Sequence, residues 1–477
     1  MTHPEDPEVS LANQGGFSLT GSFRDPAGHV FQKNGRIFRT VNPVAAADFD
    51  FVRHTKFYER AIHEGKLVEA ALVDREALGA EAGPARYVLE HPKLPFISYP
   101  YEWPFPALKA AALFHLDFHL QALEEGVTLS DASAYNIQFI GARPIFMDTL
   151  SLCRYKDGEL WAGHRQFCEQ FLNPLLLRSL LGLAHNAWYR GTQEGISARE
   201  LRKLLPFRRK LSRHVLTHVI LQDFFQKTAG RDKSVSSGVL NEAGLPLRSF
   251  QKILTSLRKW ISRLQPADAA PTAWQDYAKS HSYRPEEVVR KRRFVAEFAG
   301  QGRLRQVWDI GCNTGDYAVS ALEGGAEYVI GFDYDQGALE LAFARAQEDR
   351  LRFLPLFLDV ANPPPSQGWA QRERQGLQER ACADGLIALA LIHHLAIARN
   401  VPLPQAVQWL VGLAPHGVIE FVPKEDPMVQ ELLKLRRDIF PDYTQENFLA
   451  CVRSLARVER TESSSSTGRL LVQFSRN

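Results

Sequence analysis

An acid closing an apolar run, followed at once by a glycine turn, is the pattern in this chain with the most chemistry in it. Val307-Trp308-Asp309-Ile310-Gly311-Cys312-Asn313-Thr314-Gly315 carries it, and Val329-Ile330-Gly331-Phe332-Asp333 brings a second acid eighteen residues after Gly315. Gly311 and Gly315 have no Cβ, so the backbone can turn tightly and approach a ligand, and Asn313 is the non-glycine type that best tolerates left-handed angles. In an open parallel sheet, ligands bind beyond the carboxyl ends of the strands, where an acid ending the second strand accepts hydrogen bonds from ribose hydroxyls. Asp333 holds that position. The spacing therefore predicts a strand-turn-helix-strand unit that binds a nucleoside.

The charge of the loop narrows the ligand. A dinucleotide site uses G-x-G-x-x-G to rest a pyrophosphate on a helix N-terminus. Here Asn313 stands in place of the second glycine, and Asp309 and Asp316 flank the turn, which favours a cation over a phosphate. These residues resemble the first motif of the class I S-adenosyl-L-methionine-dependent methyltransferases, an acid followed by G-x-G-x-G, with Asn313 as the one departure. The resemblance implies S-adenosyl-L-methionine as cofactor, held by Asp309, Gly311, Asn313, Gly315 and Asp333. Residues 354–360 read as a third strand ending in Asp359, where family members meet the adenine amino group. Residues 383–391 read as a fourth, apolar throughout as a strand covered on both faces should be. Residues 417–422 supply a fifth, and 456–460 with 470–474 resemble the final hairpin that separates methyltransferases from dehydrogenases. The resemblance spans residues 272–477.

Methyl transfer to a hydroxyl also needs a proton acceptor. His393 and His394 follow the fourth strand, in the loop that faces substrate, and a neutral imidazole suits general-base work near pH 7. The plain alternative is one buried, hydrogen-bonded ring and one solvated ring. Glu420, closing the fifth strand, is a further catalytic candidate, either as base or to position the acceptor.

The first half has a different texture. Short strands fill residues 17–45, with a hairpin signal at Asn34-Gly35, and helical spacing follows over 45–72, 106–125 and 161–225. Leu129-Ser130-Asp131-Ala132-Ser133-Ala134-Tyr135-Asn136, then Pro144-Ile145-Phe146-Met147-Asp148, resembles the catalytic loop and metal-binding segment of the protein-kinase and aminoglycoside-phosphotransferase superfamily. That resemblance implies an Asp131, Asn136 and Asp148 triad for nucleotide and magnesium. Three departures argue for lost phosphoryl transfer: Ser130 replaces Gly or Arg, Thr149-Leu150 replaces Phe-Gly, and Arg39 stands where a phosphate-binding lysine belongs. The segments at 23–28, 130–136 and 420–424 together resemble a bacterial group of long, nodulation-linked methyltransferases.

These elements assemble into an α/β architecture. A disordered tail (1–16) precedes an α+β kinase-like domain with a helical extension (17–264), a linker (265–271) and a Rossmann-like class I methyltransferase domain with a terminal antiparallel hairpin (272–477). The 57 basic and 54 acidic residues leave a net charge of +3, which argues against bulk nucleic acid as partner. Runs such as Arg290-Lys291-Arg292-Arg293 read as solvated helix faces. Five scattered cysteines suggest neither a disulfide framework nor a metal knuckle, and His115 with His119, at i and i+4, lack further ligands, so no metal is expected. The N-terminus has no signal-peptide core and no run reaches the ~18 apolar residues of a membrane span, so a cytoplasmic location is expected. The reading is a methyltransferase acting on an unidentified acceptor, a small molecule or saccharide, beside an inactive kinase-like domain. The alternatives are a regulatory protein that only binds S-adenosyl-L-methionine, and an active ATP-dependent phosphotransferase in the first half.

Overall fold

The computed structural model describes residues 17–18, 21–222, 244–268, 285–434 and 437–476; the tail 1–16 and the end of the expected linker lie outside the described residues. The first half opens with a sheet of β1 (Phe17–Ser18), β2 (Val30–Lys33), β3 (Arg36–Val41), β4 (Ala71–Val73) and β5 (Tyr87–His91), antiparallel in the order β1-β2-β3-β5-β4. Asn34 and Gly35 join β2 to β3 with φ of 51° and 78°, the two left-handed residues that a two-residue hairpin turn requires. The helical spacing read over 45–72 resolves differently. Helices run Pro43–Val52 and Lys56–His63, the second started by Thr55, whose side chain accepts from the Tyr58 N–H. Gly65, with φ of 64°, then releases the chain into β4, whose pairing with β5 overrides the helical pattern around Leu72.

The helix Phe105–Leu123 is apolar on nearly every side and forms the centre of this half. It delivers the chain to β6 (Val127–Leu129), the loop with Asp131 and Asn136, and the hairpin of β7 (Ile137–Ile140) and β8 (Arg143–Phe146). Then β9 (Leu152–Arg154) returns to pair with β6. A helical layer follows, including Asn173–Leu181 and Leu247–Ser262, the latter packed along Phe105–Leu123.

The second half is a seven-stranded sheet: β10 (Gln306–Ile310), β11 (Tyr328–Asp333), β12 (Phe353–Phe357), β13 (Gly385–Ala388), β14 (His416–Phe421), β15 (Arg457–Ser463) and β16 (Leu470–Ser475). Its order is β12-β11-β10-β13-β14-β16-β15, with β10 to β14 parallel and β16 antiparallel to both β14 and β15. The order reverses at β10, which leaves a crevice at the carboxyl ends of β10 and β13. The fourth strand stops at Ala388, earlier than its apolar sequence predicts, because the chain turns into a helical segment that carries both histidines. Among the described residues, no helix is long and apolar enough to cross a membrane.

One buried apolar cluster runs through both halves without a break. Phe96, from the first half, meets Trp308 of β10 edge-on at 5.7 Å and Phe332 of β11 at 6.1 Å. The Tyr328 hydroxyl of β11 accepts from the Gly141 N–H at 2.7 Å. Between the halves Arg380 is buried and forms a bidentate ion pair with buried Glu102, donates to the Ile97 carbonyl at 2.7 Å, and lies over the Phe96 and Tyr99 rings at 5.0 and 4.5 Å. A buried pair with one member removed leaves an uncompensated charge, which costs about 3–5 kcal/mol. Arg380→Ala should therefore lower the unfolding free energy in urea by about that amount, and Arg380→Lys should recover less than half of it, since an ammonium cannot keep the forked geometry or the stacking. Wild-type stability in Arg380→Ala would remove this contact from the list of those that hold the halves together.

Candidate functional site

The turn after β10 is held by hydrogen bonds from its own backbone. Gly311 has φ of 84°, and it and Cys312 donate their N–H groups to the Phe332 carbonyl at 2.7 and 3.0 Å. Asn313 sits at φ 47°, where its side-chain oxygen accepts from the Thr314 N–H and its own N–H donates to Asp333 Oδ2, both at 2.8 Å. Asp333 Oδ1 accepts from the Asp335 N–H at 2.8 Å. The Asp333 carboxylate thus ties the glycine turn to the turn after β11, while burial raises its pKa.

Gly315 has a second cause. It caps the helix Asp316–Gly324 with φ of 84°, and a Cβ there would stand 2.5 Å from the Phe353 ring of β12. Gly331 of β11 meets the same ring at 2.5 Å. Gly315 does not line the adjoining pocket, and neither does Asp309. Asp309 is buried within β10, where burial first, and the Asp333 charge second, push its pKa up to about 8; its Oδ2 has no protein partner among the described residues.

The pocket occupies the crevice predicted by the reversal in strand order and encloses about 410 Å³, within the range of small-molecule sites. Gly311, Asn313 and Asp333 form one wall, and Asp359 and His394 stand on others, with apolar surface from Leu358, Leu389 and Leu391. Asp359 lies two residues past β12; its Oδ1 accepts from the Ala361 N–H at 3.0 Å, and its Oδ2 is 3.8 Å from the Arg399 guanidinium. The arrangement offers carboxylates to hydroxyl or amino donors and an apolar slot to a flat ring.

The three catalytic candidates separate. His394 reaches the pocket, and burial lowers its pKa to about 4. His393 stacks on it at 4.2 Å but is buried away from the wall, with neither ring nitrogen bonded within the protein among the described residues. Glu420 is also off the wall. It is fully buried, accepts from the Ala390 N–H at 2.9 Å and the Ser464 hydroxyl at 2.8 Å, and pairs with Lys291 at 2.6 Å.

Lys291 is the residue that reading the sequence missed. It lines the pocket while only 1% exposed, although its basic run reads as a solvated face. The signal lay in its neighbours: Glu287, Lys291, Phe294, Val295 and Phe298 form a buried helical stripe, and Arg290, Arg292 and Arg293 turn outward to pair with other groups at the surface.

In the first half the structure brings Asp131, Asn136, Asp148 and Arg39 together. Asn136 Nδ2 donates to Asp131 Oδ1 at 3.0 Å and to the Ser151 hydroxyl at 3.0 Å, and that hydroxyl donates to Asp148 Oδ2 at 2.8 Å. Arg39 lies between two acids, 2.8 Å from Asp148 and 2.9 Å from Asp25. Burial, then the Asp148 charge, push the Asp131 pKa up to about 6. Beside them Gly28 packs so closely that a Cβ would stand 1.9 Å from the Thr40 carbonyl oxygen. His115 and His119 are wholly buried, and His119 Nε2 bonds the Thr128 hydroxyl at 2.8 Å.

No protein-family model matches the chain. The nodulation protein NoeA of Rhizobium meliloti (strain 1021) is 45% identical over 459 residues, which is 96% of each chain. The chain belongs to the NoeA family. Among solved structures, the bifunctional kinase-methyltransferase WbdD is 15% identical over 46% of each chain with a TM-score of 0.29, so the chain matches under half of that protein's length. The N-methyltransferase NodS from Bradyrhizobium japonicum WM9 is 13% identical over 40% of this chain and 97% of its own, with a TM-score of 0.30.

The buried Lys291 and Glu420 pair yields a direct test. Lys291→Met or Glu420→Gln alone should each destabilise the protein by about 3–5 kcal/mol, whereas the double variant, with no orphan charge, should recover at least half of the summed loss. Urea unfolding of the four proteins measures this, and strictly additive losses would show that the two groups act independently.

Proposed function

We propose that this member of the NoeA family is an S-adenosyl-L-methionine-dependent methyltransferase, with its cofactor in the pocket at the carboxyl ends of β10–β13. The observation that carries the reading is the pairing of that pocket with the Asp333-tied glycine turn, in a parallel sheet that ends in an antiparallel hairpin. The residues present fit the cofactor. Asp333 faces the pocket with charge to offer ribose hydroxyls, Asp359 suits an amino group, the apolar surface suits an adenine ring, and the acidic rim favours a sulfonium cation. When bound, the cofactor would supply an activated methyl group.

The chain's own contribution is proximity and orientation, worth up to ~7–11 kcal/mol in favourable cases. His394 holds the place at which a proton could be taken from an acceptor hydroxyl, and its environment keeps it neutral across the physiological range. Glu420 serves as a positioning residue, fixing the Lys291 ammonium at the pocket wall. His393 supports His394 by stacking. The acceptor in this reading is a small molecule or saccharide. In the first half we read a kinase-like domain without phosphoryl transfer: Asp25 and Asp148 neutralise Arg39 from both sides, and Gly28 closes down on β3.

Calorimetric titration with S-adenosyl-L-methionine tests the cofactor. Asp333→Asn loses the charge and turns an amide NH2 toward one of the two backbone N–H groups that the carboxylate accepts from, so affinity should fall by at least the ~10-fold to ~150-fold that a charge-assisted hydrogen bond of about 1.5–3 kcal/mol represents. Magnesium-ATP should give no saturable heat with the parent protein. Unchanged cofactor affinity in folded Asp333→Asn would refute the ribose assignment.

A second measurement concerns the base. A base must be unprotonated, so turnover through His394 should be lost as pH falls through about 4, below the ordinary imidazole range. His394→Gln should remove this acidic limb together with about 10²-fold to 10⁴-fold of rate, with cofactor affinity nearly unchanged. An intact limb in His394→Gln would place the proton acceptor elsewhere.

A further inference from the structure

Away from both clusters, in the helical layer of the first half, three metal-ligand side chains converge. His164 and Cys168 stand four residues apart at the start of one helical run, and His218 comes from another; their ligand atoms all lie within 4.8 Å of one another. His164 Nε2 is 3.1 Å from His218 Nδ1 and 3.7 Å from Cys168 Sγ. Tetrahedral bonds of about 2.0–2.1 Å to nitrogen and 2.3 Å to sulfur put such atoms about 3.3–3.6 Å apart along an edge. The two edges at His164 bracket that range, and the third, between Cys168 and His218, is within 4.8 Å.

Hydrogen bonding alone accounts poorly for the arrangement. A neutral imidazole nitrogen has either one hydrogen or one lone pair, so His164 Nε2 can make one good bond, yet it has both a ring nitrogen and a thiol in reach. A single cation shared by all three atoms satisfies each at once. The backbone shows the same focus. The first run widens into a π-helix over Cys168–Leu172 and the second over Leu216–Ile220, so a ligand sits in or opens each widened turn, a distortion frequent at functional sites. Cys168 is fully buried and His218 nearly so, and the Trp161 ring stands 5.3 Å from His164 with Trp260 6.2 Å from His218.

We propose that His164, Cys168 and His218 bind one zinc-class divalent cation, which pins the helical run beginning at His164 to the one carrying His218. A thiolate and two neutral imidazoles form a borderline-soft donor set that suits zinc rather than calcium or magnesium. Cys168 gives up its thiol proton to solvent as the metal–sulfur bond forms, so affinity rises with pH. Three protein ligands leave the fourth tetrahedral position to a water, and the cation's part is to hold the two runs together, with no reaction assigned to it. The run that the metal would hold continues through Asn173–Leu181 to Arg178, which is 2.8 Å from Glu340 and donates to Gln336 at 2.9 Å, both on the second half's helix Gln336–Glu348.

The full chain, expressed in zinc-supplemented medium and purified without chelator or metal-affinity resin, should contain about one zinc per chain by elemental analysis. Cys168→Ser and His218→Gln should each lower zinc content or affinity by at least ~10-fold, whereas Cys382→Ser, at an exposed thiol, should leave it unchanged. Should the two ligand variants fail to fold, cobalt(II) added to metal-free parent protein decides the matter, because a thiolate ligand gives an intense near-ultraviolet charge-transfer band that nitrogen and oxygen ligands do not. Parent protein without stoichiometric zinc, zinc retained in Cys168→Ser, or a cobalt spectrum without the thiolate band would each overturn the site.

Discussion

The Arg380 guanidinium is the contact around which the two halves are organised. It lies between two aromatic rings and opposite one carboxylate, with a backbone carbonyl accepting from it as well, and all of these partners come from the segment Phe96–Glu102 of the first half. A buried ion pair contributes little net stability over an apolar contact, but it tolerates few geometries, so it specifies register. Phe96 can meet Trp308 and Phe332 because the pair fixes its segment against β10 and β11. The crevice at the carboxyl ends of these strands, which Phe332 itself lines, therefore takes part of its frame from residues far outside the glycine-turn segment.

Within the second half, charge is arranged in two ways. Around the pocket, Asp333 spends both oxygens on backbone N–H groups, which preorganises the turn before any ligand arrives. Behind it, Lys291 of the helix Pro285–Gly300 and Glu420 of β14 neutralise each other where the core meets the pocket wall. In the first half, by contrast, Arg39 lies between two acids and pairs with both, Asp148 at 2.8 Å and Asp25 at 2.9 Å.

The strand-turn-helix-strand unit of β10, the glycine turn and β11 was legible because its signals are local. Asp309, Gly311, Asn313 and Asp333 lie within two strands and a turn, where backbone sterics select Gly311 and Asn313 and backbone hydrogen bonds select Asp333. The hairpin at Asn34-Gly35 was legible for the same reason. What was hidden depends on tertiary contacts. Residues 71–73 look helical but become an edge strand because β5 offers hydrogen bonds, and residues 389–391 look like strand but leave the sheet before the histidines. Lys291 was hidden by the arginines around it, since a charge run gives no sign of which member turns inward. The convergence of His164, Cys168 and His218 spans more than fifty residues of sequence, and no spacing rule reaches that far.

The Phe353 ring fills the space where a Cβ would project from both Gly315 and Gly331. Part of what reads as a ligand signature in the glycine pattern is therefore a steric imprint of one aromatic residue on the neighbouring strand. Across relatives, these positions should vary as a linked set that includes Cys312, whose sulfur would stand 2.8 Å from a Cβ at Gly331: alanine becomes admissible there only where both the aromatic ring and the side chain at 312 are smaller.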